Sequence, residues 1–335
     1  MPGNEEETTI GGRQEGQDLC IGGLAVVAWG LVRMQHRKAF TIVELLVVVS
    51  IIGLAIGILV PSLTNARGQA RATVCLSNLR MLGQGINIYA HVNNDLLLPG
   101  RLPKIDDCHA FAYVNGVRKY RPTFLALMGD AVAVPAFADP KACKTETDRF
   151  GESGDRQNYA HPMYVCPSVA AWTDERNACY GYNYQFLGNS RLRDPNEPQS
   201  YKNWAVPITR ILFASSTVAV ADCLGTAASW PTRQRGDYEN NGRDGTQRGS
   251  EGFNLDPPRV DPVHGEMADL EGSPQLRSAA DPRHRARVNV LWLDTHADGH
   301  TLLQLGYQVQ PDGVIGLNGD NRQWSGVGRD IAWTR

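Results

Sequence analysis

The chain has 335 residues, 20% of them charged, with a formal net charge of −2. So even a balance sets up no global field for nucleic acid or an anionic surface, and no Lys/Arg-rich block, RNA-binding aromatic motif or zinc-finger spacing occurs. The motifs of serine hydrolases, phosphate-binding loops and zinc peptidases are also missing from the sequence, which leaves nucleic-acid binding and these enzyme classes without support.

Residues 1–33 fit no targeting signal. Glu5, Glu6 and Glu7 give a signal peptide's first region the wrong charge, and the apolar run from Leu19 to Val32 is short for a membrane span. The expectation is that translation begins at Met34, with Met34 to Ala39 a compact basic leader and residues 1–39 apart from the working protein. Residues 40–61 are predicted to be a transmembrane helix. From Phe40 to Val60 the one ionisable residue is Glu44, and at about 1.5 Å per residue the run reaches roughly 30 Å, the depth of a bilayer's hydrocarbon. A carboxylate there costs about 3 kcal/mol on insertion scales and calls for a partner.

Pro61 lacks a backbone donor and is expected to kink the helix. Beyond it, residues 62–93 read as an amphipathic helix. Leu63, Ala66, Ala70, Val74 and Met81 recur at helical steps, Leu79, Leu82, Ile86 and Tyr89 widen the stripe, and Arg67, Arg71 and Arg80 take the wetter side. Gly83 and Gly85 are expected to weaken its last turns, and Asn93-Asn94-Asp95 followed by Pro99-Gly100 to end it.

Residues 94–335 are predicted to be a β-rich globular head. Short apolar runs alternate there with Gly, Pro, Asn and Asp clusters. Ile211 to Val220 and Val288 to Leu293 read as strands and Phe124 to Met128 as a short helix. Residues 230–281 have little apolar periodicity and read as a surface insertion or a partly disordered stretch. The fold class is α+β: a long N-terminal helix, its first half transmembrane, packed on a C-terminal antiparallel sheet.

After Cys20, six cysteines remain: Cys75, Cys108, Cys143, Cys166, Cys179 and Cys223. They are either disulfides of an exported head or buried free thiols, and Cys166 and Cys179, which bracket a short loop, are the first candidate pair. Asp294, His296, Asp298 and His300 would share one face of a continuous strand and could hold a divalent cation. A turn at Asp294-Thr295 or Asp298-Gly299 would break that face and leave these side chains bonding backbone groups. The loop from Asp237 to Gly245 carries oxygen ligands at alternating positions, like the start of a calcium loop, but Arg248 stands where the closing Glu would be. It is either a weak calcium site or a solvated loop.

Arg37-Lys38-Ala39, Phe40-Thr41-Ile42-Val43-Glu44, the apolar run and Pro61 together resemble the type IV pilin and type II secretion pseudopilin superfamily. The residue before the cut is Ala39 where that family usually has Gly. Cys75-Leu76-Ser77-Asn78-Leu79-Arg80, Cys166-Pro167-Ser168 and Tyr180-Gly181-Tyr182-Asn183 resemble segments of a bacterial pseudopilin-like group abundant in planctomycetes. So does His284 followed after nine residues by Asp294-Thr295-His296, with Thr at the turn position where the group has Gly.

The resemblance implies cleavage by a prepilin peptidase between Ala39 and Phe40, methylation of Phe40, and pairing of Glu44 with the Phe40 ammonium of a neighbouring subunit. It further implies a bent, lollipop-shaped, single-pass protein of the inner membrane, its C-terminal head in the periplasm or on the cell surface. Its partners would be the lipid bilayer, other pseudopilin subunits in a homo- or hetero-filament, and an inner-membrane secretion platform. The expected role is structural, with no catalysis and no obligatory cofactor. The alternatives are a membrane-tethered binding module for glycan or metal, and a metal-dependent hydrolase built on the Asp294–His300 cluster.

Overall fold

The computed structural model describes residues 41–100, 111–114, 117–120, 122–134, 161–169, 179–188, 193–194, 197–201, 206–234, 252–260 and 278–331. The leader, Ala39, Phe40, Cys108, Cys143 and the Asp237–Gly245 loop lie outside them. The chain divides into two compact units, Met1–Ile56 and Gly57–Arg335.

One helix, α1, runs from Ile42 to Val92 and continues through Pro61 without a break in its assignment. The Thr64 hydroxyl donates to the carbonyls of Val60 and Pro61 at 3.1 and 2.9 Å, in the turn that follows the proline nitrogen. The helix stops at Val92 because Asn94 and Asp95 adopt left-handed φ values of 56° and 61°, a region that Asn and Asp tolerate better than most residues.

The buried stripe of α1 is narrower than its sequence suggests. Cys75, Asn78, Leu79, Leu82, Gly83, Gly85, Ile86 and Ala90 are buried, whereas Leu63, Ala66, Ala70, Val74 and Met81 are exposed. Leu79, Leu82 and Ile86 therefore pack as expected, but the stripe begins at Cys75, where there is a sheet to pack against. Gly83 and Gly85 serve close approach. A Cβ on Gly83 would lie 2.8 Å from Leu291 Cδ1 and 3.2 Å from the Thr295 Cα, and one on Gly85 would lie 2.6 Å from Met128 Sδ.

The remaining elements are β1 (Phe111–Val114), β2 (Val117–Tyr120), α2 (Phe124–Ala131), β3 (Tyr180–Tyr182), α3 (Tyr184–Leu187), β4 (Arg193–Asp194), β5 (Glu197–Tyr201), β6 (Val218–Asp222), β7 (Val288–Trp292), β8 (Ala297–His300), β9 (Tyr307–Val309) and β10 (Ile315–Gly319). The central sheet is antiparallel with order β3-β6-β7-β8, and β1-β2, β4-β5 and β9-β10 form separate two-stranded ribbons. Strands β3, β6 and β7 are buried along their whole length. Their sequences read as continuous apolar runs because both faces are covered.

On one face Leu79, Leu82 and Ile86 meet Leu291, Leu293 and Tyr182; on the other Val288, Val290 and Trp292 join Leu305, Tyr307 and Trp324. Each such side chain contributes about 1.5–3 kcal/mol of burial.

Two strand-level expectations need correcting. Residues 211–217 are not strand: a 3-10 turn at Ala214–Ser216 precedes β6, and Leu212 and Phe213 are bound at their amides by the Gly326 carbonyl. Nor is residues 230–281 all surface. Phe253, Asn254, Leu255 and Asp256 are buried, and Phe253 and Leu255 exchange backbone hydrogen bonds with Tyr182 at the open edge of β3. Among the described residues, 252–260 are a short extended passage through the core, too brief for a repeat.

Replacing Gly83 by Val should lower stability by about 1–3 kcal/mol, since Leu291 and the Thr295 backbone cannot both retreat. Gly68→Ala, whose Cβ would meet nothing, should raise it by up to about 1 kcal/mol. Thermal unfolding of the detergent-solubilised chain reads both.

Candidate functional sites: the capped helix start and a buried thiol, imidazole and carboxylate cluster

At the start of α1 the Thr41 amide and hydroxyl both donate to Glu44 Oε2, at 2.9 and 2.8 Å, and the Glu44 amide donates to Thr41 Oγ1 at 3.2 Å. This is a capping box, in which the two residues satisfy one another's otherwise unpaired groups. Glu44 is thereby held at the helix N-terminus, where the macrodipole also favours a negative charge. Behind it the apolar run is exposed, Ile42 by 83% and Leu54 by 69%. By length and composition the helix could cross a membrane, with mean hydropathy 2.8 in its most apolar window.

A second site lies inside the C-terminal unit, where four chain segments converge. Cys75 comes from the first buried turn of α1. One turn on, Asn78 Nδ2 donates to the Pro162 and Val165 carbonyls at 3.0 and 3.1 Å, which fixes the loop that carries Cys166 beside the helix. Asp222 ends β6. His284 stands at a tight turn in which its amide and carbonyl exchange hydrogen bonds with those of Arg287 at 3.1 Å, while Arg285 and Ala286 hold φ values of 57° and 63°. That is the geometry of a two-residue hairpin turn, usually built from Asn and Gly.

A register shift decides where Asp222 points. Val218 faces Trp292 and Val220 faces Leu291, so β6 carries one more residue than β7 across this interval. Such a bulge reverses the alternation of side chains beyond it. Val218 lies in the cluster with Trp292, yet the Asp222 carboxylate lies beside Cys75.

The four side chains are in mutual contact. Cys75 Sγ is 3.4 Å from Asp222 Oδ1, and His284 Nε2 is 3.3 Å from both Cys166 Sγ and Asp222 Oδ2. Around them, Tyr180 Oη donates to Cys75 Sγ at 3.4 Å, the Asn289 amide donates to Asp222 Oδ2 at 3.0 Å, and Ser168 Oγ lies 3.4 Å from His284 Nδ1. Cys75 and Cys166 have no exposed surface, and His284 and Asp222 are likewise buried.

The hydrogen bond from Cys75, together with that from His284, outweighs burial and lowers the Cys166 thiol to about 5. Burial disfavours a charged His284, but its contacts with Asp222 and Cys166 prevail and raise it to about 9. Burial pushes Cys75 far above the ordinary thiol range. Among the described residues this cluster is the group of three or more Cys, His, Asp or Glu that could hold a metal, with all its donor atoms within 4.8 Å of one another.

The acidic and histidine residues near the C-terminus do not form that kind of centre. Asp294 Oδ1 accepts from the His296 amide at 3.1 Å and contacts His296 Nδ1 at 2.6 Å, forming the turn between β7 and β8. Asp298 Oδ1 is shared by Trp292 Nε1 at 2.7 Å and His300 Nε2 at 2.9 Å. The turn, with Thr295 at φ 79°, separates the two pairs, and His296 and His300 lie against the Trp292 ring, stacked and edge-on.

The expected Cys166–Cys179 disulfide is not formed. Both are free thiols, and Cys179 Sγ accepts from the Cys166 amide at 2.9 Å. Of the cluster, the sequence marks Cys75, Cys166 and His284 in separate segments, whereas Asp222 belongs to no motif. Its signal was the lone acidic residue closing the apolar run Val-Ala-Val-Ala-Asp.

A long apolar N-terminal helix, a capped Glu44 and an antiparallel C-terminal sheet define a pilin-like α+β protein. Residues 34–60 match the family model described as the prokaryotic N-terminal methylation motif, which supports a type IV pilin-like or pseudopilin-like N-terminal region. No curated protein and no solved structure matches it.

Thr295 occupies a conformation that disfavours a β-branched side chain by about 1–2 kcal/mol. Thr295→Gly should therefore raise the midpoint of thermal unfolding, with a gain of up to about 1 kcal/mol after the added freedom of the unfolded chain is subtracted.

Proposed function

We propose that this chain is a structural pseudopilin-like subunit of a type II secretion or type IV pilus-like assembly. In this reading a prepilin peptidase cuts between Ala39 and Phe40 and the new Phe40 amine is methylated. The chain is the substrate of that reaction and carries out none of its own. It sits as a single-pass protein in the inner membrane with its C-terminal unit on the periplasmic side, beside other pseudopilins and the secretion platform.

The observation that carries the proposal is the methylation motif at residues 34–60, which runs into a helix whose apolar side chains are exposed. An exposed apolar surface of this extent needs lipid or neighbouring helices to cover it. Glu44 then has a double use. In the isolated chain it closes the capping box with Thr41; in an assembly its charge offsets a neighbour's Phe40 ammonium, so that two costly intramembrane charges become a device for registry.

Two substitutions separate these uses. Gln can occupy the same position in a capping box but carries no charge. Both Glu44→Gln and Glu44→Ala should yield chains cut before Phe40 and methylated, as read by mass spectrometry of the mature N-terminus, and both should fail to cross-link stem to stem in membranes. A Glu44→Gln chain that assembles like the native one would assign Glu44 to the cap alone.

A further inference from the structure

We propose that Cys75, Cys166, Asp222 and His284 are the ligands of a structural zinc ion that fastens α1 to the sheet. The donor set is two sulfurs, one imidazole nitrogen and one carboxylate oxygen. Thiolate and imidazole donors suit zinc, whereas calcium and magnesium take oxygen alone.

The spacing fits the same ion. Zinc bonds of about 2.0–2.3 Å directed to the corners of a tetrahedron leave neighbouring ligand atoms about 3.3–3.8 Å apart. Cys166 Sγ and Asp222 Oδ2 each lie 3.3 Å from His284 Nε2, and one donor atom from each of the four residues lies within 4.8 Å of the others, so that a small inward closure completes the tetrahedron. The outer partners are in place as well. Ser168 Oγ faces His284 Nδ1, leaving Nε2 for the ion, and the Asn289 amide orients the Asp222 carboxylate.

Zinc with four protein ligands keeps no position open for water or substrate, and burial of all four residues closes the site further. The role is therefore structural. On binding, two protons leave to solvent, so that Cys75 and Cys166 bind as thiolates and His284 as neutral imidazole. The ion would tie together α1, the Cys166 loop, the end of β6 and the turn before β7. It is independent of the pseudopilin reading. The competing chemistry for the same sulfurs is a Cys75–Cys166 disulfide.

The test uses the full chain purified in detergent without chelator. Elemental analysis should find about one zinc per chain, and X-ray absorption at the zinc edge should find two sulfur and two nitrogen or oxygen neighbours. Stripping the ion should lower the unfolding midpoint, and returning zinc should restore it. Ser168→Ala should weaken zinc binding about 10–100-fold. Cys166→His keeps a donor and should retain zinc with one sulfur neighbour fewer, and Cys179→Ser should leave the site unchanged. Substoichiometric zinc in the native chain after dialysis against zinc, a Cys75–Cys166 disulfide in its peptide map, or a zinc shell without sulfur would each overturn the proposal. These measurements on the native chain stand whether or not any variant folds.

Discussion

Gly83 brings the backbone of α1 within van der Waals reach of Leu291 and the Thr295 turn, and the C-terminal unit is arranged around that approach. With a side chain at this position the helix would stand farther off, and Leu79, Leu82 and Ile86 would lose their seats on the sheet. Below Gly83 the contact turns polar. Cys75 and Asn78 reach the Asp222 carboxylate and the Pro162 and Val165 carbonyls, and Asn289 Nδ2 donates to the Ala72 carbonyl at 3.1 Å. Apolar packing supplies most of the energy of such a contact; the directional polar bonds fix its register along the helix.

The bulge in β6 is the second constraint. A fully buried carboxylate without partners costs several kcal/mol, so Asp222 can point toward α1 only because Cys75, His284 and the Asn289 amide wait for it. The same bulge keeps Val218 and Ala221 on the opposite face with Val288 and Val290. One extra residue thereby serves two cores, and it converts the end of an apolar strand into a ligand-bearing position.

Along α1 one continuous helix serves two environments. Among the described residues its side chains are exposed or half-buried up to Val74, and from Cys75 one stripe of them is packed. The two stretches differ in composition accordingly. Ile42 to Val60 is apolar nearly all round, as a lipid-facing helix must be; beyond Pro61 Arg67, Arg71 and Arg80 share the surface, and from Cys75 the packed side chains form one stripe.

The amino-acid sequence by itself determined the long helix, its end at Asn93-Asn94-Asp95, strand β7 and the short helix α2, because these rest on local rules: hydropathy length, periodicity and turn preference. It also marked Cys75, Cys166 and His284, each in a short segment of its own. Only the tertiary structure decided that these three meet, that Asp222 joins them, and that Cys179 serves as an acceptor for the Cys166 amide. It likewise decided that Leu63, Val74 and Met81 stay uncovered, and that Phe253 and Leu255 pass through the core. Contacts between residues separated by about fifty to two hundred positions depend on strand order and on a one-residue bulge, and neither leaves a periodic trace in the chain.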